Sequence, residues 1–121
     1  MDTVHSRMSR IEHRVKPLMN EVIEILGDIE IHLAASWLNA KGEQINTRLI
    51  WEDFLIITGQ YTTMVAKLQN RVNRLSEINN GQIALRVTAR IEFIQRELEL
   101  INSKLSYYIS MIKTCIVDLE Y

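Results

Sequence analysis

The run from Val87 to Leu119, VTARIEFIQRELELINSKLSYYISMIKTCIVDL, has the clearest helical periodicity in the chain. Its apolar residues recur at alternating steps of four and three, the heptad period of an α-helix that packs along one face. This seam consists of Val87, Ile91, Ile94, Leu98, Ile101, Leu105, Tyr108, Ile112, Cys115 and Leu119. With Leu98 at heptad position a and Ile101 at position d, the pattern predicts a long helix over residues 82–120.

The first segment of the chain, residues 2–39, has the same period. Its a and d positions are Val4, Met8, Ile11, Val15, Leu18, Val22, Ile25 and Ile29, with His32 next at d. Pro17 lies inside this segment at position c, and a proline in a helix interior costs about 3 kcal/mol. Because the heptads continue through Pro17, we expect either a kinked continuous helix or two collinear pieces that meet near Lys16.

A further helical segment, residues 44–79, lies between these two. Its a and d positions are Trp51, Phe54, Thr58, Tyr61, Val65, Leu68, Val72 and Leu75. Residues 39–43 read as the first turn. The second turn is predicted at 79–81, since the sequence there is Asn-Asn-Gly and both residue types tolerate the left-handed conformation that ends many helices.

The predicted fold is all-α. Each segment of about 35 residues gives a helix about 50 Å long at 1.5 Å per residue. Short connections favour antiparallel neighbours, so the simplest architecture is an elongated up-down-up three-helix bundle. The alternative is a helical hairpin whose remaining helix packs on a partner chain. The chain has 121 residues with one proline and four glycines, which suits one helical domain over residues 1–121.

Composition narrows the class of protein further. The formal net charge is -1, so the chain as a whole is not a typical nucleic-acid binder. One cysteine excludes an internal disulfide. No apolar run reaches the length of about 18 residues that a membrane span requires, and the first residues lack a signal-peptide core. We therefore expect a soluble intracellular protein, without distinguishing cytoplasm from nucleus.

Few residues suggest catalysis. Glu21, Glu24 and Asp28 lie at helical spacing, and the stretch from Glu24 to Asp28, EILGD, resembles all-α nucleotide pyrophosphatases. That resemblance implies two acidic pairs on different helices around magnesium. We find no second pair and interpret the carboxylates as a solvated face. His32 on the seam and Cys115 at d are most simply packed side chains. We predict that the chain is not an enzyme and holds no cofactor or metal.

Charge is unevenly distributed along the chain. Residues 1–16 sum to +2 and residues 67–90 to +4, whereas residues 17–66 sum to -5. In an up-down-up bundle both positive segments lie at one end. The predicted basic pole consists of Arg7, Arg10, Arg14, Lys67, Arg71, Arg74, Arg86 and Arg90. It is interpreted as a site for an acidic partner, as a contact for nucleic-acid backbone, or as a solvated surface with incidental clustering.

Apolar residues also recur every seven positions outside the seam. The third helix has a c row of Phe93, Leu100 and Tyr107. The first helix has an e row of Met19, Leu26 and Leu33, and the second has a g row of Ile50, Ile57, Met64 and Ile78. A three-helix core uses a broad face of each helix, so part of this surplus belongs to the core. The c row should face outward, and we predict that it is a protein interface.

In size and periodicity the chain resembles small helical subunits of eukaryotic assemblies, such as those of the kinetochore and of the head of the transcriptional Mediator. The second resemblance rests on the stretches 51–55, WEDFL, and 58–61, TGQY. Secretion chaperones and phage or bacterial adaptor proteins are also similar. No motif assigns the chain to one of these families.

We predict a non-enzymatic helical scaffold or adaptor that binds protein partners, or itself, through coiled-coil packing. The alternatives are a nucleic-acid-associated regulator that uses the basic pole and a metal-dependent enzyme built on a helical bundle.

Overall fold

The computed structural model describes residues 3–36, 44–78 and 85–119, and every one of them is helical. The helices are α1, Thr3–Ser36; α2, Gln44–Ile78; and α3, Leu85–Leu119. Each helix packs against both of the others, which confirms the three-helix bundle. The predicted turns at 39–43 and 79–81 lie outside the described residues.

Contacts between α1 and α3 show that these helices are parallel. Arg90 of α3 contacts Glu12 of α1, and Tyr108 of α3 donates a hydrogen bond to Glu30 of α1. The residue numbers differ by 78 in both pairs. A constant difference means that the two helices run in the same direction. Each residue of α1 therefore lies level with the residue of α3 that follows it by 78 positions.

Contacts between α1 and α2 run in opposite senses. The Tyr61 hydroxyl lies 3.4 Å from a carboxylate oxygen of Glu21, and the His32 and Phe54 rings have centroids 5.3 Å apart. From the first contact to the second the number rises along α1 and falls along α2. These helices are therefore antiparallel, and the predicted up-down-up order is confirmed.

The core follows the predicted seam closely in α3. Its buried side chains are Val87, Ile91, Ile94, Leu98, Ile101, Leu105 and Ile112. Tyr108 and Cys115, also on the seam, are partly buried against this core. The a and d positions of α3 thus form the centre of the bundle, where removal of apolar surface from water is the main stabilising contribution.

In α1 the buried face turns slowly around the helix. The a and d positions are buried as far as Val22, but farther along Leu26 at e is buried while Ile25 at d is only partly so. A straight helix of 3.6 residues per turn drifts by about 20° per heptad, which carries the e row inward. Met19 and Leu33 of that row also pack on the core.

The described side chains of the apolar g row of α2 do not join the core, and the side chain of Ile78 lies outside the described residues. Ile50 is 37% exposed and Met64 is 48% exposed, while Ile57 is partly buried. The core position Thr58 is fully buried, and its hydroxyl donates to the carbonyl oxygens of Phe54 at 2.7 Å and Leu55 at 3.1 Å. This polar group is therefore satisfied within its own helix.

Pro17 lies inside one continuous helix and not between two separate pieces. It is exposed, so its ring stays clear of the core. Proline has no N–H to donate to the carbonyl four residues earlier, which weakens α1 locally. The hairpin alternative is not observed, because α1 packs on both other helices, although α2 packs most extensively on α3.

Candidate protein-binding surfaces

The c row of α3 is exposed, as expected. Phe93 is 60% exposed, Leu100 is 51% exposed and Tyr107 is 61% exposed. We call these three side chains the ridge. They lie on the flank of α3 that faces α1, because Arg90 and Tyr108 on the same flank make the contacts to α1. The ridge thus borders the groove between these two helices.

The other side of that groove is formed by α1, and it carries an exposed apolar side chain that belongs to none of the apolar rows predicted from the sequence. Ile23, at position b of α1, is 56% exposed. The 78-residue difference places Ile23 level with Ile101, immediately after Leu100. Leu100 and Ile23 therefore lie at the same height on the two banks of one groove.

Four arginines of the basic pole meet in the groove between α1 and α2. Arg7 and Arg10 of α1 and Arg71 and Arg74 of α2 line it together with Ile11 and Leu75. The groove continues along the bundle axis past Arg14 and Lys67, beside His13, Pro17 and Met64. We call the six cations Arg7, Arg10, Arg14, Lys67, Arg71 and Arg74 the basic groove. Among the residues described, no ion pair neutralises any of them.

The structure separates Arg90 from this group. Its guanidinium contacts the Glu12 carboxylate in the groove between α1 and α3, and it also lies 2.9 Å from the His5 ring nitrogen and 3.4 Å from the Ser9 hydroxyl. Arg90 therefore ties α3 to α1, and Glu12 offsets its charge. Arg90 thus lies at the same end of the bundle as the other cations of the predicted basic pole, but in a different groove. The side chain of Arg86 lies outside the described residues.

Three of the five carboxylates of α1 lie along the same edge of the helix as its arginines. Glu21, Glu24 and Asp28 are all exposed.

These carboxylates affect Tyr61 of α2. Partial burial, the nearby charges of Glu21 and Glu24, and the hydrogen bond to Glu21 together raise the pKa of Tyr61 above its usual value. In the described part of the chain, no group of three or more histidine, cysteine or carboxylate side chains could hold a metal ion.

His32 and Cys115 lie where the heptads placed them. The His32 ring is partly buried against Phe54. Burial, with a smaller effect of the Asp118 charge, raises the pKa of the Cys115 thiol, so less of it is present as the reactive thiolate. Neither side chain forms part of an arrangement that suggests chemistry.

In comparisons with protein-family models, with curated proteins and with solved structures, no family, protein or structure matches this chain. Within the described residues, none of the helices combines the length and the apolar character needed to cross a membrane.

Proposed function

We propose that this chain is a non-enzymatic helical adaptor that binds an amphipathic helix of another protein along the ridge. The observation that carries the proposal is the exposure of Phe93, Leu100 and Tyr107 on one line of α3. Large apolar side chains grouped on a surface usually mark an interaction site.

The spacing of the ridge suits a helical partner. Successive members are seven residues apart, or about 10 Å at 1.5 Å per residue. An apolar row on another helix repeats at the same distance, so the two rows interdigitate as in other helix-in-groove contacts. Fully burying an exposed Leu or Phe side chain contributes about 1.5–3 kcal/mol. Because the ridge side chains are already about half buried, a partner helix gains only part of this at each position.

The outer faces beside the ridge mix charged side chains, among them the exposed Arg96 and Lys104, with small neutral ones. Asn20 and Gly27 on α1, and Ser103 and Ser110 on α3, are exposed at the outermost heptad position, f. Small neutral side chains let a third helix approach closely without desolvating a charge.

The test is comparative co-purification followed by reconstitution. A chain with Phe93→Ser and Leu100→Ser is compared with a control carrying Ile56→Ser, since Ile56 is 60% exposed on α2, away from the ridge. A partner identified with the wild type and the control, and lost with the ridge variant, is then purified and its affinity measured by calorimetry. We expect the ridge substitutions to weaken binding at least tenfold, while far-UV circular dichroism stays helical.

Two results would overturn the proposal. A ridge variant that unfolds would show that the ridge belongs to the core and that the helix arrangement is wrong. A folded ridge variant with unchanged partners and affinities would show that the ridge is ordinary surface.

A second candidate, a nucleic-acid-associated regulator, is favoured only by the six cations of the basic groove. Its binding to duplex DNA or RNA would weaken steeply between low and high salt, because bound counterions are released from the phosphates. Fluorescence anisotropy with labelled duplexes measures this dependence directly. Apolar packing on the ridge has no comparable dependence on salt.

A further inference from the structure

The charges on one edge of α1 reverse sign at its middle. Position g is occupied in turn by Arg7, Arg14, Glu21 and Asp28. Position c is occupied by Arg10, Pro17 and Glu24. Counted outward from Pro17 along this edge, each arginine on one side has a carboxylate at the corresponding place on the other side. Two such edges laid antiparallel therefore face each other with opposite charges along their whole length.

Within one chain these charges repel their neighbours. Arg10 is three residues from Arg7 and four from Arg14, and Glu24 is likewise three residues from Glu21 and four from Asp28. Like charges at these helical spacings are destabilising. In the part of the chain that the structure describes, none of these three arginines and three carboxylates forms an ion pair that would offset the repulsion. The pattern does not serve the stability of the isolated helix.

The neighbouring edge of α2 has the same polarity. Lys67, Arg71 and Arg74 line the groove beside the arginines of α1. Tyr61 of α2 contacts Glu21, and Asp53 lies earlier in α2 than Tyr61. Because α2 is antiparallel to α1, the exposed carboxylate of Asp53 therefore lies beside the acidic part of α1. The face formed by α1 and α2 thus has a basic half and an acidic half that meet near Pro17 and Met64.

We propose that two copies of this chain pack antiparallel across the α1–α2 face, with the two-fold axis near Pro17 and Met64. In this arrangement Arg14 meets Glu21, Arg10 meets Glu24, and Arg7 meets Asp28 of the other copy. Each contact occurs twice, as in any interface with two-fold symmetry. The acidic partner of the basic groove is then the acidic half of a second copy.

Apolar side chains on the same face supply area for the contact. Ile31 is 66% exposed, Met64 is 48% exposed and Ile50 is 37% exposed, and all three lie at c or g positions. Exposed ion pairs add little affinity by themselves, but they fix the orientation and register of the two copies. The ridge lies on the other flank of α1, beside α3, so the dimer leaves it available for a partner helix.

Charge-swapped variants test this arrangement. The first variant carries Arg10→Glu and Arg14→Glu, and the second carries Glu21→Arg and Glu24→Arg. Each alone places like charges opposite each other in both halves of the dimer. An equimolar mixture restores opposite charges throughout, and so does one chain that carries all four substitutions. Sedimentation equilibrium at low salt gives the mass, and circular dichroism confirms the helicity.

The expected result is a wild-type dimer, monomers for each variant alone, and dimers for the mixture and for the four-substitution chain. A wild type that is monomeric even at millimolar concentration overturns the proposal. So do variants that remain dimeric alone, or a mixture and a four-substitution chain that both remain monomeric. The Phe93→Ser, Leu100→Ser chain should stay dimeric, which keeps failure of the dimer separate from failure of the proposed function.

Discussion

At the scale of single residues, the two helical glycines are informative because the fold does not require them. A β-carbon built at Gly27 or Gly59 would meet nothing within 4 Å. Glycine inside a helix is destabilising by about 0.5–1 kcal/mol relative to alanine, since it loses more backbone freedom on folding. No close contact within the bundle compensates for this at either position.

We therefore expect Gly27→Ala to raise the free energy of unfolding by about 0.5–1 kcal/mol. Urea denaturation followed by circular dichroism measures the change. Leu26→Ala, the neighbouring substitution, is the control: Leu26 is buried, so its truncation should lower the free energy of unfolding by about 2–5 kcal/mol. Destabilisation by Gly27→Ala would mean that another chain approaches this backbone.

At the scale of the helices, position in the heptad separates neighbours with opposite roles. Leu98 at a has no exposed surface, whereas Glu99 at b is exposed. The difference comes from the direction of each side chain and not from the local backbone, because both residues lie in the middle of α3.

Leu98→Asp should therefore unfold the bundle, because a carboxylate buried without a partner costs several kcal/mol of desolvation. Glu99→Ala should change the free energy of unfolding by less than about 0.5 kcal/mol. Thermal denaturation of the two variants compares them. Similar melting temperatures would show that the heptad assignment of α3 is wrong.

The heptads carry most of what could be predicted about the helices. The period of α3 gave its extent and its buried face, because burial of one stripe is a local property of the sequence. The pairing of Arg90 with Glu12 could not be predicted, since it depends on how far α3 is shifted along α1. The exposure of Met64 has a similar origin: periodicity marks an apolar row, but not which flank a neighbouring helix covers.

For the candidate surfaces too, some features could be predicted from the sequence and others depended on how the helices pack. Exposure of the ridge follows from its c positions, which point away from the seam in any bundle with this register. The opposite bank of the groove, at Ile23, follows only from the parallel packing of α1 and α3. The reversal of charge along α1 is written in the sequence, but its exposure on one face shared with α2 required the arrangement of the helices.

At the scale of the whole molecule, the three helices do not contribute equally. α2 packs most extensively on α3, and α1 makes smaller contacts with each of them. α1 also contains Pro17, which removes one backbone hydrogen bond from its middle. Regions with fewer contacts open at lower free energy than the rest of a fold. We therefore expect α1 to separate from α2 and α3 more readily than these two helices separate from each other.

Hydrogen exchange should reveal this order. In the chain with Arg10→Glu and Arg14→Glu, we expect the backbone amides of α1 to exchange faster than those of α2 and α3, because α1 can separate from these two helices without unfolding them. In the wild type, protection of α1 should rise with protein concentration, since a second copy covers the α1–α2 face and binding to the folded state stabilises it. Exchange measured by mass spectrometry over a concentration series separates the opening of α1 within one chain from its protection by a second copy.

Equal rates in all three helices of the variant would mean that the bundle opens as one unit. Protection of α1 that does not change with concentration in the wild type would place any contact between copies on another face.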